Sequence, residues 1–225
     1  MKMKKSSEGN LISIKTINIQ YSTIKIQGMS PLLTHAWSEK AKIEMLDKQT
    51  GKTKIMPKKP RFPFEEFVQS AYWMTPMPTG ENKEELEKNF EKVVQSSRWG
   101  FPAVAIKEAA IMAASRNGID IKTTSLKGCF FVLGEGPRQL VEIKGCLPHI
   151  QEDMVHIGTI SKTADLRYRA QFDDWYMELV IRYNANGPVS LEQIVNLINL
   201  GGFSCGIGEW RPERNGICGT FQVVP

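Results

Sequence analysis

Residues 190–224 constrain the fold most, because they combine a capped helix, a dense run of glycines and a closing strand. Ser190 and Gln193 have the spacing of a capping box, and apolar residues follow at helical intervals. Gly201 and Gly202 predict the end of this helix, since glycine adopts the left-handed conformation of a helix C-cap. Helix, glycine-rich loop and final strand therefore form one unit around which we expect the chain to be organised.

The glycine-rich loop also carries cations and a tryptophan. Glycines such as Gly206 and Gly208 let a backbone approach a ligand closely and present N–H groups to phosphate. Arg211 and Arg214 supply positive charge, and Trp210 supplies a ring on which a base could stack. We predict that these five residues bind nucleic acid. The alternative is an irregular loop whose glycines only permit tight turns.

Charge is unevenly distributed along the 225 residues, whose formal net charge is +5. Residues 1–61 hold 13 Lys and Arg against 4 Asp and Glu. A basic N-terminal quarter on a mildly acidic body suggests either a polyanionic partner or a solvated lysine-rich surface. Lys40 and Lys42, on a helix predicted over 39–49, are candidate contacts to such a partner.

No apolar run is long enough to cross a membrane, and no signal-peptide core follows the N-terminal lysines. We therefore expect a cytoplasmic protein without a membrane partner. The four cysteines contain no C-x-x-C pair, which favours reduced core residues over disulfides or metal ligands.

Two strands show clear alternation. In the first, over 17–27, the apolar positions change parity between Tyr21 and Ile24, which allows a bulge or a turn. In the second, over 174–183, apolar residues on one face alternate with a face that includes Arg182.

The order of the predicted elements is strand, helix, strand, strand, helix, strand. This βαββαβ order predicts an α+β, ferredoxin-like antiparallel sheet with two helices on one face. We expect one domain over residues 1–225, with the core in approximately 11–27, 102–133 and 174–225. Residues 28–101 and 134–173 are then two large insertions, where function is commonly carried.

This core, ending in helix, glycine-rich loop and strand, resembles the RAMP superfamily of CRISPR-associated RNA-binding proteins, in particular the backbone subunits that polymerise along a guide RNA. The chain also resembles small phage-encoded proteins. The RAMP resemblance implies that residues 201–219 lie against RNA. It also implies that residues 134–173 match, by position, a hairpin that intercalates between nucleotides.

Catalytic and metal-binding motifs are weak. His149 and His156 are seven residues apart without a compact ligand set, so we expect no metal site and no cofactor. His35 follows the first core strand, where RAMP relatives that cleave RNA often place a general acid or base. A histidine packed against Trp37, or hydrogen-bonded in a loop, is the simpler interpretation.

Basic and aromatic residues alternate in the second insertion and the strand after it. Arg167, Tyr168, Arg169 and Arg182 could neutralise phosphates and stack bases. We therefore predict a non-enzymatic protein that binds RNA or single-stranded DNA and assembles along it as a homo-oligomer. The alternatives are a metal-independent ribonuclease that uses His35 and a protein-interaction module.

Overall fold

The computed structural model describes residues 16–37, 39–51, 61–157 and 163–225. The predicted strand positions 11–15 lie outside the described residues. In chain order the strands are β1 (Ile19–Gly28), β2 (Leu32–Thr34), β3 (Tyr72–Trp73), β4 (Trp99–Pro102), β5 (Phe130–Leu133), β6 (Leu140–Ile143), β7 (His149–Ile157), β8 (Thr163–Phe172), β9 (Tyr176–Asn184) and β10 (Phe221–Val224). The helices are α1 (Glu39–Gln49), α2 (Pro63–Ser70), α3 (Lys83–Val93), α4 (Ala103–Arg116), α5 (Thr123–Cys129) and α6 (Leu191–Ser204).

A four-stranded antiparallel sheet forms the centre of the fold, with the strand order β10-β1-β9-β5. Helices α4 and α6, which follow β1 and β9 along the chain, pack against each other. The buried side chains of β9, Met177, Leu179 and Ile181, belong to the same apolar core as both helices. This arrangement confirms the predicted α+β class.

Strand β1 pairs with β9 without interruption from Ile19 opposite Asn184 to Gln27 opposite Tyr176. The bulge or turn that the sequence allowed at this point is therefore absent. Since side chains alternate across a strand, Ile26 points into the core, where it is fully buried, whereas Tyr21 lies on the opposite face and is 62% exposed.

Helix α6 begins as predicted, because the Ser190 side chain accepts from the Gln193 N–H and the Gln193 side chain accepts from the Ser190 N–H. The predicted end at Gly201 and Gly202 is wrong. Both glycines lie inside the helix and are buried. A Cβ on Gly201 would lie 2.7 Å from the backbone nitrogen of Ala110, so the glycine allows close packing of α6 on α4.

The two predicted insertions pair with each other. Strand β2 of the first pairs with β8 of the second, and β4 of the first pairs with β6 of the second. Strands β7 and β8 form the hairpin predicted for the second insertion. Apolar residues of both segments, including Trp99 and Phe172, join the core cluster of the central sheet. The insertions therefore extend the same core.

Among the described residues, no helix has the length and apolar character needed to cross a bilayer.

Candidate nucleic-acid interface

The glycine-rich loop after α6 is held by hydrogen bonds to the segment around β2. The Glu209 N–H donates to the Leu33 carbonyl at 3.0 Å, and the Gly219 N–H donates to the Pro31 carbonyl at 2.7 Å. Within the loop, the Ile207 N–H donates to the Gly219 carbonyl at 2.9 Å. Much of the backbone is therefore used in packing and does not form an open cradle of N–H groups.

The two candidate glycines serve this packing. Gly206 is buried, and its N–H donates to the Gly201 carbonyl at 2.9 Å. The prediction that Gly206 presents its N–H to a ligand is wrong for this reason. Gly208 has a φ of +80°, and a Cβ there would lie 2.4 Å from the Leu33 carbonyl oxygen. Its close approach is to the protein's own chain.

Arg211 is engaged inside the loop. Its Nε and Nη2 atoms lie 2.9 and 2.8 Å from the Glu213 carboxylate, and its Nη1 donates to the Gly208 carbonyl at 2.9 Å. The Glu213 carboxylate also lies 3.4 Å from Arg116 of α4. Arg211 therefore stabilises the loop, and its charge is balanced locally.

Trp210 and Arg214 are the exposed members of the predicted set in this loop. The Trp210 side chain is 41% exposed, and its backbone adopts a φ of +52°, which is unusual for a bulky residue. The Cys218 N–H donates to the Trp210 carbonyl at 2.9 Å and helps hold this conformation. The Arg214 side chain is exposed and has no ion pair or hydrogen bond with the described residues.

Two clefts flank the segment Glu209–Arg214, which we call the ridge. A cleft of about 840 Å³ lies between the ridge and α4, with His35 and Tyr72 in its wall. A second cleft of about 420 Å³ lies on the side of the β7–β8 hairpin, next to Val155. Glu209, Arg211 and Arg214 line both. The ridge therefore presents side chains to two concave surfaces.

A row of ionisable side chains connects the walls of the two clefts through Glu209 of the ridge. The His35 Nδ1 lies 3.5 Å from the Glu209 carboxylate, whose other oxygen lies 3.8 Å from Arg169 Nη2. Arg169 Nη1 pairs with Asp153 at 2.8 Å. The hydrogen bond from His35 is the main reason that the pKa of Glu209 is lowered, and the Arg169 charge adds to this effect. Glu209 therefore favours its ionised form.

Arg169 is buried, with 6% of its surface exposed, and its Nε has no partner in the described part of the chain. Its guanidinium pairs with Asp153 and lies near Glu209, and it lines the smaller cleft, so the predicted contact of Arg169 with nucleic acid stays a prediction. Its neighbours are more accessible. Arg167 pairs with Asp165 at 2.8 Å, and a hydrogen bond to Glu152 is the main reason that the pKa of Tyr168 is raised.

The remaining candidates lie on β9 and α1. Arg182 is on the face of the central sheet opposite the helices, where its guanidinium lies 4.8 Å from the ring centre of Phe131. Lys40 belongs to α1, but its side chain lies outside the described residues. Lys42 is exposed on the same helix and already has a contact within the chain.

The histidines do not converge. His149 lies 3.5 Å from Asp173, and within the described ranges no three His, Cys, Asp or Glu side chains form a group that could hold a metal ion. His35 is exposed and hydrogen-bonded to Glu209, which fits the simpler interpretation of a histidine hydrogen-bonded in a loop.

Sequence reasoning missed Glu209 and Lys107. Glu209 sits among the loop glycines, and its position in the sequence gave no sign that His35 and Arg169 are its neighbours. Lys107 lies on α4 in the wall of the larger cleft, and its Nζ donates to the Lys127 carbonyl at 2.6 Å. The sequence pattern around Lys107 predicts that it belongs to a helix, but it does not predict that its side chain lines a cleft.

No protein-family model and no curated protein matches this sequence. Among solved structures, the chain is similar to Cmr6 from Pyrococcus furiosus. The similarity covers 93% of this chain and 100% of that chain, with 11% sequence identity and a TM-score of 0.36. A likeness this weak shows neither family nor function, so the RAMP resemblance stays a prediction.

Proposed function

We propose that this protein binds single-stranded nucleic acid, RNA or DNA, across the ridge and into the larger cleft. The observation that carries the proposal is the presence, on one firmly anchored loop, of an exposed ring, Trp210, and an exposed cation, Arg214, that has no partner among the described residues. A cation that neutralises phosphate, next to a ring that stacks a base, is the combination used in single-strand binding.

The larger cleft offers a continuation for the strand. Lys107 and Lys127 lie on its α4 side and Arg214 on its ridge side. Exposed apolar side chains of α4, Val104 and Met112, line the surface between them. Phosphates would meet the cations, whereas bases and sugars would cover the apolar side chains.

Carboxylates also line this cleft, and most of their charge is balanced by neighbours. Glu209 lies between His35 and Arg169, and Glu213 lies between Arg211 and Arg116. The charges left to act on a polyanion are those of the two lysines and Arg214, set against the exposed carboxylate of Glu108, which lines the same cleft and pairs with no cation among the described residues.

Fluorescence anisotropy with a labelled oligouridylate and a labelled oligothymidylate tests the proposal. We expect Arg214→Ala to weaken binding and to reduce the slope of log K against log salt by about 0.7, the value for one phosphate contact to a single strand. Lys88→Ala, which removes an exposed lysine from α3, is the matched control and leaves affinity unchanged. Absence of wild-type binding at low salt would refute the proposal.

Assembly along the strand is a further part of this proposal. Size-exclusion chromatography with and without oligonucleotide tests it, since species that grow only when nucleic acid is present indicate cooperative assembly. Large species without oligonucleotide would instead favour a protein-interaction module.

A metal-independent ribonuclease is the second candidate, and the proximity of His35 to Glu209 in the cleft wall favours it. A carboxylate that orients an exposed imidazole is an arrangement suited to general acid–base chemistry. This candidate predicts RNA cleavage in EDTA that is lost in His35→Ala. Intact RNA after prolonged incubation with the wild-type protein would exclude it.

A further inference from the structure

The central sheet has one face covered by helices and one open face. On the open face, Tyr21, Phe131 and Val180 are 62%, 39% and 40% exposed. An exposed face of this kind, with rings on the two strands that flank β9, indicates a surface that contacts a ligand or a partner.

Three of its side chains form one cross-strand row. Tyr21 of β1 is directly opposite Arg182 of β9, and Arg182 is directly opposite Phe131 of β5. Directly opposed residues on one face of an antiparallel pair have Cβ atoms about 5 Å apart. The row therefore places two accessible rings on either side of one guanidinium.

The cations of this face are associated with rings. Arg182 lies over Phe131, and Lys25 Nζ lies 4.3 Å from the ring centre of Tyr176. Among the residues of these four strands that point away from the helices, the carboxylate is Glu178, and Lys144 neutralises it at 2.7 Å. Arg182, which has no carboxylate partner among the described residues, is therefore complementary to an anionic ligand that carries flat groups, whereas Lys25 lies directly opposite Glu178.

The open face is connected to the larger cleft through Lys107. Its Nζ lies 4.0 Å from the ring centre of Phe131, while the rest of the residue lines the cleft. Phe131 is on β5, an edge strand, so a ligand that leaves the cleft can pass around this edge of the sheet. Cations and rings thus follow one another from Lys107 in the cleft wall through Phe131 and Arg182 to Tyr21.

We propose that this open face is a second binding surface for the same single strand, on which Tyr21 stacks one base while Arg182 and Lys107, held over the Phe131 ring, contact the neighbouring phosphates. The inference rests on the proposed function, because the strand would reach the face from the cleft. A longer strand would therefore contact both the ridge and the sheet, whereas a short one would occupy the ridge and cleft alone.

The test compares two lengths of fluorescent oligouridylate, about 6 and about 20 nucleotides, which bracket common single-strand site sizes. Tyr21→Val and Phe131→Leu remove the rings but keep side chains suited to a strand. We expect the double variant to bind the longer strand at least 10-fold more weakly, from about 1–3 kcal/mol per stacked base. Binding of the shorter strand stays at the wild-type level. Thr23→Val, on the same face, is the matched control.

Photocrosslinking gives a second readout that does not depend on affinity. An oligouridylate with 5-iodouridine should crosslink to peptides that contain Tyr21 in the wild-type protein, and these crosslinks should require the longer strand. Circular dichroism and thermal unfolding establish that each variant is folded. Arg182→Gln, which keeps both rings, should lower the salt dependence for the longer strand.

The two proposals fail in distinguishable ways. If no oligonucleotide binds the wild-type protein at low salt, the proposed function is wrong, and so is the proposal that the open face binds the same strand. If Arg214→Ala weakens binding but the double variant binds both lengths as the wild type does, the sheet surface alone is wrong. A change of oligomeric state in the double variant, without a change in affinity for the longer strand, would also overturn it in favour of a protein contact.

Discussion

The backbone carbonyl of Leu33 accepts a hydrogen bond from the N–H of Glu209, which is 176 positions later in the chain, at 3.0 Å. This contact joins the segment after the first core strand to the glycine-rich loop before the last one. It fixes the ridge in place and at the same time brings His35 to the Glu209 carboxylate. Rigidity of the loop and the geometry of the candidate site therefore have the same origin.

Gly208→Ala should destabilise the protein, because a Cβ at a φ of +80° would lie 2.4 Å from the Leu33 carbonyl oxygen. We expect a loss of about 3 kcal/mol in the free energy of unfolding, measured with urea. Gly118→Ala is the control, since Gly118 has a φ of +65° with no atom within 4 Å of a Cβ, and should cost about 1 kcal/mol. Equal losses would show that only the dihedral angle matters.

Gly201→Ala should also destabilise, although alanine is the better helix former by about 1 kcal/mol. The added Cβ would lie 2.7 Å from the backbone of α4, so α6 would have to move away from it. Gly128→Ala in α5, where a Cβ meets nothing within 4 Å, should be neutral or stabilising. Opposite signs in thermal unfolding are the expected result, and two stabilising substitutions would contradict the packing role of Gly201.

Arg169→Met should lower the free energy of unfolding by about 3–5 kcal/mol, because the Asp153 carboxylate would remain largely buried without its partner. Adding Asp153→Leu should recover part of this loss, since two apolar side chains leave no unpaired charge. Arg167→Ala, which breaks the more exposed pair with Asp165, should cost at most about 1 kcal/mol. A small effect of Arg169→Met would show that the pair is hydrated in solution.

The stability of the protein should depend on the ionisation of Glu209. Its pKa in the folded state is lowered, first by the hydrogen bond from His35, so ionised Glu209 stabilises the fold at any pH above its unfolded pKa of about 4.3. That contribution is lost as the pH falls through the lower, folded pKa. The difference in Tm between wild type and Glu209→Gln should therefore be constant above about pH 4.3 and shrink as the pH falls from there through the folded pKa. A difference that does not shrink on acidification would contradict this linkage.

Trp210→Gly separates binding from stability. Glycine accepts the left-handed conformation at no steric cost, which offsets the lost contacts of a ring that is 41% exposed. We expect the free energy of unfolding to stay within about 1 kcal/mol of the wild-type value. Oligonucleotide affinity should fall about 10-fold, as expected for one stacked base. Unchanged affinity would remove Trp210 from the interface.

The change of parity in the first strand shows how local patterning can be misread. Ile24 and Ile26 alternate on the core side, whereas Ile19 and Tyr21 alternate on the other side, and the sequence pattern suggested a bulge between them. The strand is regular, so the first pair of apolar residues lies on the open face. The change of parity therefore marks where apolar residues move from the core face to the open face of the sheet.

The sequence by itself determined the elements, because capping, helical spacing and strand alternation are local: the capping box at Ser190, the helix over α4 and the alternation of β9 follow from neighbouring residues. It also showed that Trp210 and Arg214 share one loop. Only the tertiary structure decided which charges are free. Arg169 and Arg211 are paired with carboxylates while Arg214 is not, since ion pairing depends on contacts between distant segments that no local pattern records.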